Sequence, residues 1–384
     1  MTQTRGDMVQ VHLLTPFPAS LLNRDDAGLA KRIPFGGATR TRISSQCLKK
    51  HWREAPEITE LGDLAVRSTR IYERLVAKPL VEEHGASEEE AVAIATWLMN
   101  QTVDTKAVSK HSGLEAAQSG QLLVLTRAET EFLADTAVKI LEDLREQGIE
   151  AKKEGDVKKN SAFSKDKDLR KTLKQLEASL DTALFGRMVT SDLFARVDSA
   201  VSVAHAFTTH GEAAETDYFT AVDTLKGEAD DAGAALIQDT ELTSGVYYLY
   251  AVIDMNQLRA NLIGLDSEFA EQLARNLVQA MATVSPGAKR GSTAPFSYAE
   301  FVLLERGDRQ PRTLANAFLD PVEESGAKVM AKSVHALIGH RSRLEGMYGK
   351  DGAQVALSTI HSDELEGLDP VRFTDAIETI FGKG

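Results

Sequence analysis

Residues 245–253 read GVYYLYAVI, and this stretch decides the fold class of the 384-residue chain. Its density of β-branched and aromatic residues predicts a strong β-strand whose tyrosines pack in a core. Near-alternating apolar residues at positions 8–14 predict a first strand, and residues 301–304 predict a later one. The chain is therefore expected to contain a β-sheet.

Amphipathic periodicity predicts two helices, one at residues 46–55, before the strand at 245–253, and one at residues 268–283, after it. Ser44 or Ser45 can cap the first helix, and Pro56 ends it. The order strand, helix, long insertion, strand, helix, strand favours an α+β fold. It suits a modified ferredoxin-like sheet with helices on one face, as in RNA-recognition folds.

The insertion, residues 57–184, is predicted to be mostly helical, with periodic stretches at residues 88–101, 129–146 and 169–184. Within it, residues 151–174 carry nine Lys or Arg against four Asp or Glu. This charge density predicts a mobile surface segment.

Residues 15–43 contain closely spaced Pro and Gly, which predict a long ordered loop, a type that is uncommon unless it is functional. Residues 200–209 and 218–222, on either side of a short turn, predict a protruding hairpin. Further helices are predicted at residues 328–348 and 371–381.

Residues 31–53 form a basic window without Asp or Glu, although the whole chain has a formal net charge of −13. The window has seven cations, namely Lys31, Arg32, Arg40, Arg42, Lys49, Lys50 and Arg53. At about 100° per residue, the predicted helix directs Leu48 and Trp52 to one side. The opposite, polar face comprises Gln46, Lys49, Lys50 and Arg53.

Two interpretations of this window remain open at the level of sequence. The backbone N–H groups of Gly36 and Gly37, with the dipole of a helix that starts at Ser44 or Ser45, can cradle a phosphate. A solvated basic loop is the alternative. An acidic isoelectric point of about 5.3 argues only weakly against nucleic acid, because a polyanion needs positive charge only where it binds.

Several classes of protein lack their signatures. Neither GxxxxGK[ST] nor GxGxxG occurs, so the common nucleotide-binding motifs are missing. Cys47 is the only cysteine, which rules out an internal disulfide and a multi-cysteine metal site. No apolar run of about 18 residues occurs, and the first residues are polar. We expect a cytoplasmic protein without membrane contact.

Candidate catalytic groups have simpler structural interpretations. Cys47 and His51 are four residues apart on one helix, but a small core cysteine beside a half-exposed histidine explains them better than an activated thiolate. Asp25 and Asp26 can bind Mg²⁺ or, more simply, stabilise a turn. The sequence therefore predicts no catalytic residue, no metal and no cofactor.

A resemblance adds to these interpretations. The stretches LNRDD at 22–26, FGG at 35–37 and RISSQCLKK at 42–50 closely resemble the backbone protein of the type I-E CRISPR complex Cascade, the CasC or Cse-type RAMP-like family. Further similar blocks follow in order, at 186–188 (GRM), 204–210 (AHAFTTH), 217–223 (DYFTAVD), 244–246 (SGV), 286–289 (PGAK) and 315–318 (ANAF). The resemblance spans nearly the whole chain and is weakest in the helical insertion.

The family implies a hand-shaped, non-catalytic subunit. Residues 1–56 would form the first part of an RNA-recognition-like palm, residues 57–180 helical fingers, and residues 181–384 the rest of the palm. The last part would include a β-hairpin thumb at about 196–225 and the C-terminal helices. Copies of the protein would line up on the spacer portion of a CRISPR guide RNA and present it for pairing with a target DNA strand in antiviral defence.

The resemblance also assigns residues and partners. The residues matched to RNA contacts are Arg24, Lys31, Arg42, Ser44, Gln46, Lys49, Lys50, Arg53, Arg187, Met188, Thr208, Thr209 and Lys289. Met188 would wedge against bases, and Thr208 and Thr209 would lie in the thumb. The implied partners are guide RNA, target DNA, further copies of the chain, and the large, small, guide-end-capping and RNA-processing Cascade subunits.

The chain departs from the family pattern at a few positions. Ala38 and Thr39 stand where relatives can be more basic, Cys47 stands for Ser, and Arg290 stands where a relative can have Gln. Two rival functions also remain. One is a metal-independent CRISPR RNA-processing endonuclease with His51 or His205 as general base, and the other is an enzyme that binds a small phosphate at Gly36 and Gly37.

Overall fold

A computed structural model of the protein describes residues 6–102, 111–162, 172, 178–187, 196–221, 236–323, 328–350, 352–361, 365 and 369–382. Contacts divide the chain into two units. The first unit contains Met1–Glu60, Val201–Asn256 and Ser267–Gly384, and the second contains Leu61–Ala200 and Gln257–Asp266.

The strands and helices are numbered here in chain order among the described residues. The strands are β1 Met8–Ser20, β2 Arg32–Phe35, β3 Ala38–Ile43, β4 Val66–Ser68, β5 Leu123–Leu125, β6 Val201–Val203, β7 Ala206–Thr208, β8 Ala214–Ala221, β9 Leu236–Asp254, β10 Phe301–Gly307 and β11 Gln354–Thr359. The α-helices are α1 Ser45–Arg53, α2 Pro56–Thr59, α3 Lys78–Glu82, α4 Glu88–Thr102, α5 Arg127–Glu146, α6 Glu154–Asn160, α7 Leu180–Phe185, α8 Met255–Asn261, α9 Ser267–Thr283, α10 Arg290–Thr293, α11 Val329–Tyr348 and α12 Phe373–Phe381. A π-helical segment covers Tyr72–Ala77, and short 3₁₀ segments cover Gly113–Ala117 and Ala315–Phe318.

The first unit is built on one antiparallel sheet with the strand order β11-β10-β1-β9-β7-β3-β2. Strand β1 is central, because Val11 pairs with Leu304 on one side and with Ala251 on the other. Strands β6 and β8 also pair with the long strand β9. The α+β class predicted from the sequence is confirmed, and the GVYYLYAVI stretch lies in β9.

The two faces of this sheet are covered by different elements. On one face, Tyr247 and Leu249 of β9 pack near Leu48 and Trp52 of α1 and near Met281 of α9. This packing places the buried side of α1 where the periodicity predicts it.

The opposite face of the sheet is also buried. There, Tyr248 and Leu303 join a core with Phe318, Val334 and Leu337, which belong to the last 3₁₀ segment and to α11. Helix α11 thus covers the sheet face that RNA-recognition folds leave open for bases. Tyr247 and Tyr248 of β9 are buried in the core, as expected, and Tyr250 is partly buried against it.

The second unit has its own core. Tyr72, Ile94, Leu98, Leu133 and Leu141 are buried together, and the helices predicted at residues 88–101 and 129–146 are confirmed as α4 and α5. Thr126 and Glu129 form a capping box at the start of α5. A two-stranded sheet, β4 with β5, was not predicted. Its strands have three residues each, too short for a periodic signal.

The expectation of a loop over residues 15–43 is wrong. Strand β1 continues to Ser20 although it contains Pro16 and Pro18, because beyond Leu14 it pairs with β9 alone. A strand with one free side can accommodate residues that lack an N–H group. Strands β2 and β3 then form a hairpin inside the same stretch.

Two further expectations need correction. The expected mobile segment at 151–174 begins with Ala151, which is buried, and continues into α6, where Val157 is buried too. The helix predicted at 169–184 is described only as α7, because most of the residues before it lie outside the described part.

The hairpin expected at about 196–225 has different strands. Strands β6 and β7 belong to the main sheet, and the hairpin is formed by β8 with the first half of β9. Residues 222–235, between these strands, lie outside the described residues. The sequence pattern identified β8 but not its partner, because the hydrophobic signal of β9 is concentrated in residues 245–253.

Candidate nucleic-acid interface

The start of α1 is closed by the protein's own groups. Ser44 is the N-cap, and its Oγ accepts a hydrogen bond from the N–H of Cys47 at 3.2 Å. The N–H of Ser45 donates to Nδ1 of His205 at 3.0 Å. Ser44 itself donates its N–H to Oδ1 of Asn23 at 2.9 Å. The cap prediction is confirmed, but the amides at Ser45 and Cys47 are occupied, which argues against a phosphate held by them.

The two glycines of the basic window have a structural role. Gly36 and Gly37 have φ of 61° and 77° and form the turn between Phe35 and Ala38 of the β2–β3 hairpin. A Cβ atom on Gly36 would also collide with the carbonyl oxygen of Leu319. Glycine is thus required here by backbone conformation and by close packing, and no phosphate is needed to explain either residue.

Two of the seven cations stabilise the fold. Arg40 is fully buried, and its guanidinium donates to the carbonyl oxygens of Phe35, Thr208, His210 and Phe318 at 2.8–3.2 Å. Arg32 forms ion pairs with two carboxylates, those of Glu212 and Glu241. Neither residue was assigned to RNA from the sequence, and their contacts support that distinction.

The other cations of the window lie at the surface or near it. Lys31 and Arg42 are half-buried and are joined by a backbone hydrogen bond of 2.8 Å from the N–H of Arg42 to the carbonyl of Lys31. On α1, Gln46 and Lys50 are exposed, and Lys49 and Arg53 are half-buried. Lys50 makes an exposed contact of 3.8 Å with Glu54. Burial lowers the pKa of Lys49.

Lys31 and Arg42 are adjacent through their backbone hydrogen bond, and cations of the window act on two shared neighbours, Cys47 and His205. Burial raises the pKa of the Cys47 thiol, and the positive charges of Lys50, Lys31 and Arg290 oppose that shift. Burial lowers the pKa of His205, and the charges of Arg42 and Lys31 lower it further. We call Lys31, Arg42, Lys50 and Arg290 the basic cluster. Three of these four residues, Lys31, Arg42 and Lys50, were assigned to RNA from the sequence, and the structure brings them together.

Arg290 and His205 were not assigned to binding from the sequence. Arg290 donates from Nη2 to the carbonyl oxygen of Ser285 at 2.7 Å, and its charge also lowers the pKa of His51. His205 is exposed, with Nδ1 held by Ser45. Both lie far from the basic window in sequence, so only the folded chain reveals their proximity to it.

The contacts of Cys47 and His51 do not favour nucleophilic chemistry. Their Sγ and Nδ1 atoms are 3.8 Å apart, but Nδ1 of His51 also lies 2.8 Å from the carbonyl oxygen of Cys47. Burial raises the pKa of the thiol and lowers the pKa of the imidazole. Both shifts favour the neutral pair over a thiolate and an imidazolium.

The remaining assigned residues lie outside helix α1. Arg24 is exposed and forms a β-bridge with Ala30. Lys289 donates from Nζ to Oγ1 of Thr240 at 2.7 Å. In the second unit, Arg187 is buried in an ion pair of 2.5 Å with Glu129. Met188 lies outside the described residues.

The assignment of Thr208 and Thr209 to RNA needs correction. Both are fully buried in the first unit. Oγ1 of Thr208 donates to the carbonyl of His210 at 2.9 Å, and Oγ1 of Thr209 lies 2.8 Å from Oγ of Ser333. Their hydroxyls therefore hold strands and helix α11 together, while the hairpin begins five residues after Thr209.

Asp25, the first of the two acidic residues before the window, stabilises a turn, as expected. Oδ1 of Asp25 accepts the N–H groups of Ala27 and Leu29 at 2.9 and 3.0 Å. In the described part of the chain, no group of three or more His, Cys, Asp or Glu is placed to hold a metal ion. No helix in that part is long and apolar enough to cross a membrane.

A known protein family and several solved structures resemble this chain. Residues 9–380 match the family described as CT1975-like protein. The chain belongs to this family. A search of curated proteins finds no match.

Two solved structures contain a chain whose fold is similar to that of this protein. One chain, from a structure described as a CRISPR RNA-guided surveillance complex, pre-nicking, is 26% identical, with a TM-score of 0.83. The match covers 97% of this chain and 99% of that chain. A chain of another CRISPR RNA-guided surveillance complex is 20% identical over 97% of this chain and 98% of its own length, with a TM-score of 0.60. The second likeness concerns the fold alone.

Proposed function

We propose that this protein is the guide-RNA-binding backbone subunit of a type I-E CRISPR interference complex. In this proposal the protein is not an enzyme. It grips the RNA backbone, polymerises along the spacer and leaves base edges free to pair with target DNA. Its other partners are the large, small, guide-end-capping and RNA-processing subunits of the complex.

The observation that carries the proposal is the similarity at 26% identity, over nearly the full length of both chains, to a chain of a CRISPR RNA-guided surveillance complex. The basic cluster supports it, because phosphate contacts supply most of the sequence-independent affinity for nucleic acid. Lys31, Arg42 and Lys50 belong to the cluster and also to the stretches that resemble the backbone family.

The fold of the first unit supports the interpretation as a palm with a thumb. The neighbouring strands β10, β1, β9 and β7 are antiparallel, with α1 and α9 on one face, an arrangement that suits a modified ferredoxin-like palm. The β8–β9 hairpin is the element that suits the thumb. Because α11 covers the other face, loops and α1 rather than the sheet face would hold RNA.

The first experiment is to express the protein with its neighbouring subunits and a CRISPR array, purify the assembly in moderate salt, and sequence the RNA. Uniform guide RNAs in a large assembly are expected. Mixed cellular RNA would keep RNA binding but assign guide selection to another subunit. Absence of RNA would contradict the proposal and favour the small-phosphate enzyme.

A second experiment addresses the endonuclease. Purified protein is incubated with a repeat hairpin without added metal, alongside His51→Ala and His205→Ala. We expect no defined cleavage, because the proposed protein is not an enzyme. Burial also lowers the pKa of both imidazoles, which makes each of them a weaker base. Cleavage at one site that either substitution abolishes would favour the endonuclease instead.

A further inference from the structure

Glu241 holds the loop that precedes the basic window. It lies in β9 at the root of the β8–β9 hairpin, where it pairs with Thr216. Its Oε2 accepts the N–H of Ala30 at 2.6 Å, and its Oε1 forms an ion pair with Arg32. Nη1 of Arg32 also donates to the carbonyl of Ala30 at 3.0 Å. One carboxylate therefore fixes the residues on both sides of Lys31.

The contacts continue from there to the other assigned residues. Ala30 forms a β-bridge with Arg24, and the carbonyl of Lys31 accepts the N–H of Arg42 at 2.8 Å. The N–H of Lys31 donates to the carbonyl of Asn23 at 2.9 Å, and the side chain of Asn23 accepts the N–H of Ser44. The loop held by Glu241 is thus continuous with the cap of α1.

Thr240, the residue before Glu241, contacts a second basic segment, which carries Lys289 and Arg290. Oγ1 of Thr240 accepts a hydrogen bond of 2.7 Å from Nζ of Lys289. The neighbour of Lys289 is Arg290, which belongs to the basic cluster. Two consecutive residues at the root of the hairpin therefore contact both loops that carry cations.

We infer that Glu241 is a positioning residue for guide-RNA binding, acting through Ala30 and Arg32 on Lys31 and Arg24. The inference rests on the proposed function. The expected change in RNA affinity has an unusual direction, because Glu241 is an anion close to a proposed site for a polyanion. By charge alone, its removal would strengthen RNA binding, whereas by positioning, its removal weakens binding.

Glu241→Gln tests this inference, because it removes the charge and keeps the shape. The matched control is Glu215→Gln, an exposed glutamate on the other strand of the same hairpin. Affinity for single-stranded RNA is measured against salt concentration for both variants, together with the midpoint of urea unfolding.

We expect Glu241→Gln to lower the affinity about fivefold or more. It should also reduce the slope of log affinity against log salt by about 0.7 for each phosphate that the variant no longer binds. Glu215→Gln should leave the affinity unchanged or slightly raised. An unchanged or higher affinity for Glu241→Gln, with wild-type RNA binding intact, would overturn the inference and leave the proposed function standing. Failure of the wild type to bind RNA would instead overturn the proposed function.

A double-substitution cycle separates positioning from general loss of stability. Arg32→Gln removes one of the two partners of Glu241, so the loss of RNA affinity in the combined variant should be smaller than the sum of the two single losses. Additive losses would show that the two residues act independently, which contradicts the inference. A reduced salt slope at an unchanged unfolding midpoint is the signature that a purely structural role would not produce.

Discussion

At the scale of single residues, cations that look alike in the sequence have different roles. Arg40 satisfies four buried carbonyl oxygens, while Lys49 and Arg53, ten or so positions later, lie half-buried on α1. A count of charges in a window cannot separate these roles, because burial depends on the strand at residues 206–208 and the 3₁₀ segment at residues 315–318. On α1, the helix periodicity did distinguish the buried side from the side that carries the cations, because Leu48 and Trp52 are buried as predicted.

Lys49→Ala combined with Arg53→Ala should weaken RNA binding to a similar degree for all sequences. Phosphate contacts carry no base information, so the loss is uniform, and the salt dependence becomes shallower by about 0.7 log units for each phosphate released on single strands. The measurement is binding of several unrelated RNAs across a salt series. Lys139→Ala with Lys158→Ala, two exposed lysines of the second unit, provides the same charge change as a control. Loss confined to particular sequences would contradict backbone binding.

At the scale of elements, local patterns predicted long periodic segments well and hairpins poorly. Helices α4, α5, α9 and α11 begin and end within two residues of their predicted bounds, and the strand predicted at residues 245–253 forms the second half of β9. The β2–β3 hairpin has short strands, and Pro and Gly near it resemble loop signals. Its place in the sheet depends on strand β7, where Phe207 pairs with Arg42 from more than 160 positions later. No local pattern contains that information.

A buried polar cluster joins helix α11 to the sheet. Arg341 of α11 contacts Glu305 of β10 at 2.8 Å, and Arg312 contacts the same carboxylate at 3.2 Å. Nε2 of His12 lies 3.5 Å from it. Burial alone would raise the pKa of Glu305, but its contacts with His12, Arg341 and Arg312 outweigh burial and lower the pKa to about 2.

This low pKa predicts acid sensitivity of the covering helix. Because the folded pKa lies below the ordinary value of 4.5, ionised Glu305 stabilises the fold above that pH, and the contribution disappears as the pH falls toward 2. The contribution is at most about 3 kcal/mol by the conversion of pKa shifts to free energy. Urea unfolding at pH 7 and pH 3 should show a smaller pH-dependent change for Glu305→Gln than for the wild type.

The control for this measurement is Glu300→Gln. Glu300 also faces a histidine, His361, at 2.7 Å, but its side chain is one-third exposed. Its substitution should leave the pH dependence close to that of the wild type, because exposed pairs contribute little. Equal pH dependence for Glu305→Gln and the wild type would show that this carboxylate does not stabilise the folded state through its charge.

At the scale of the whole molecule, the basic cluster belongs to a chain with a formal net charge of −13. Copies of such a chain repel one another at low salt, so a shared polyanion brings them together only where its attraction to each basic cluster outweighs that repulsion. Acid outside the cluster also limits binding at unintended surfaces. The total charge therefore argues against indiscriminate nucleic-acid binding, while the local charge favours assembly on one strand.

Assembly should consequently depend on RNA and on its length. Mixing the purified protein with single-stranded RNAs of increasing length, followed by native mass spectrometry, should show copy numbers that rise in single steps at a constant interval of added nucleotides. Without RNA, the low-salt protein should not form such a series, because no attraction to a shared strand offsets the repulsion between copies. A hairpin RNA with the same number of phosphates is the matched control, since its paired strands do not offer the same extended backbone. One bound copy at every RNA length would contradict polymerisation along a guide and would favour a protein that binds a single local feature of its RNA.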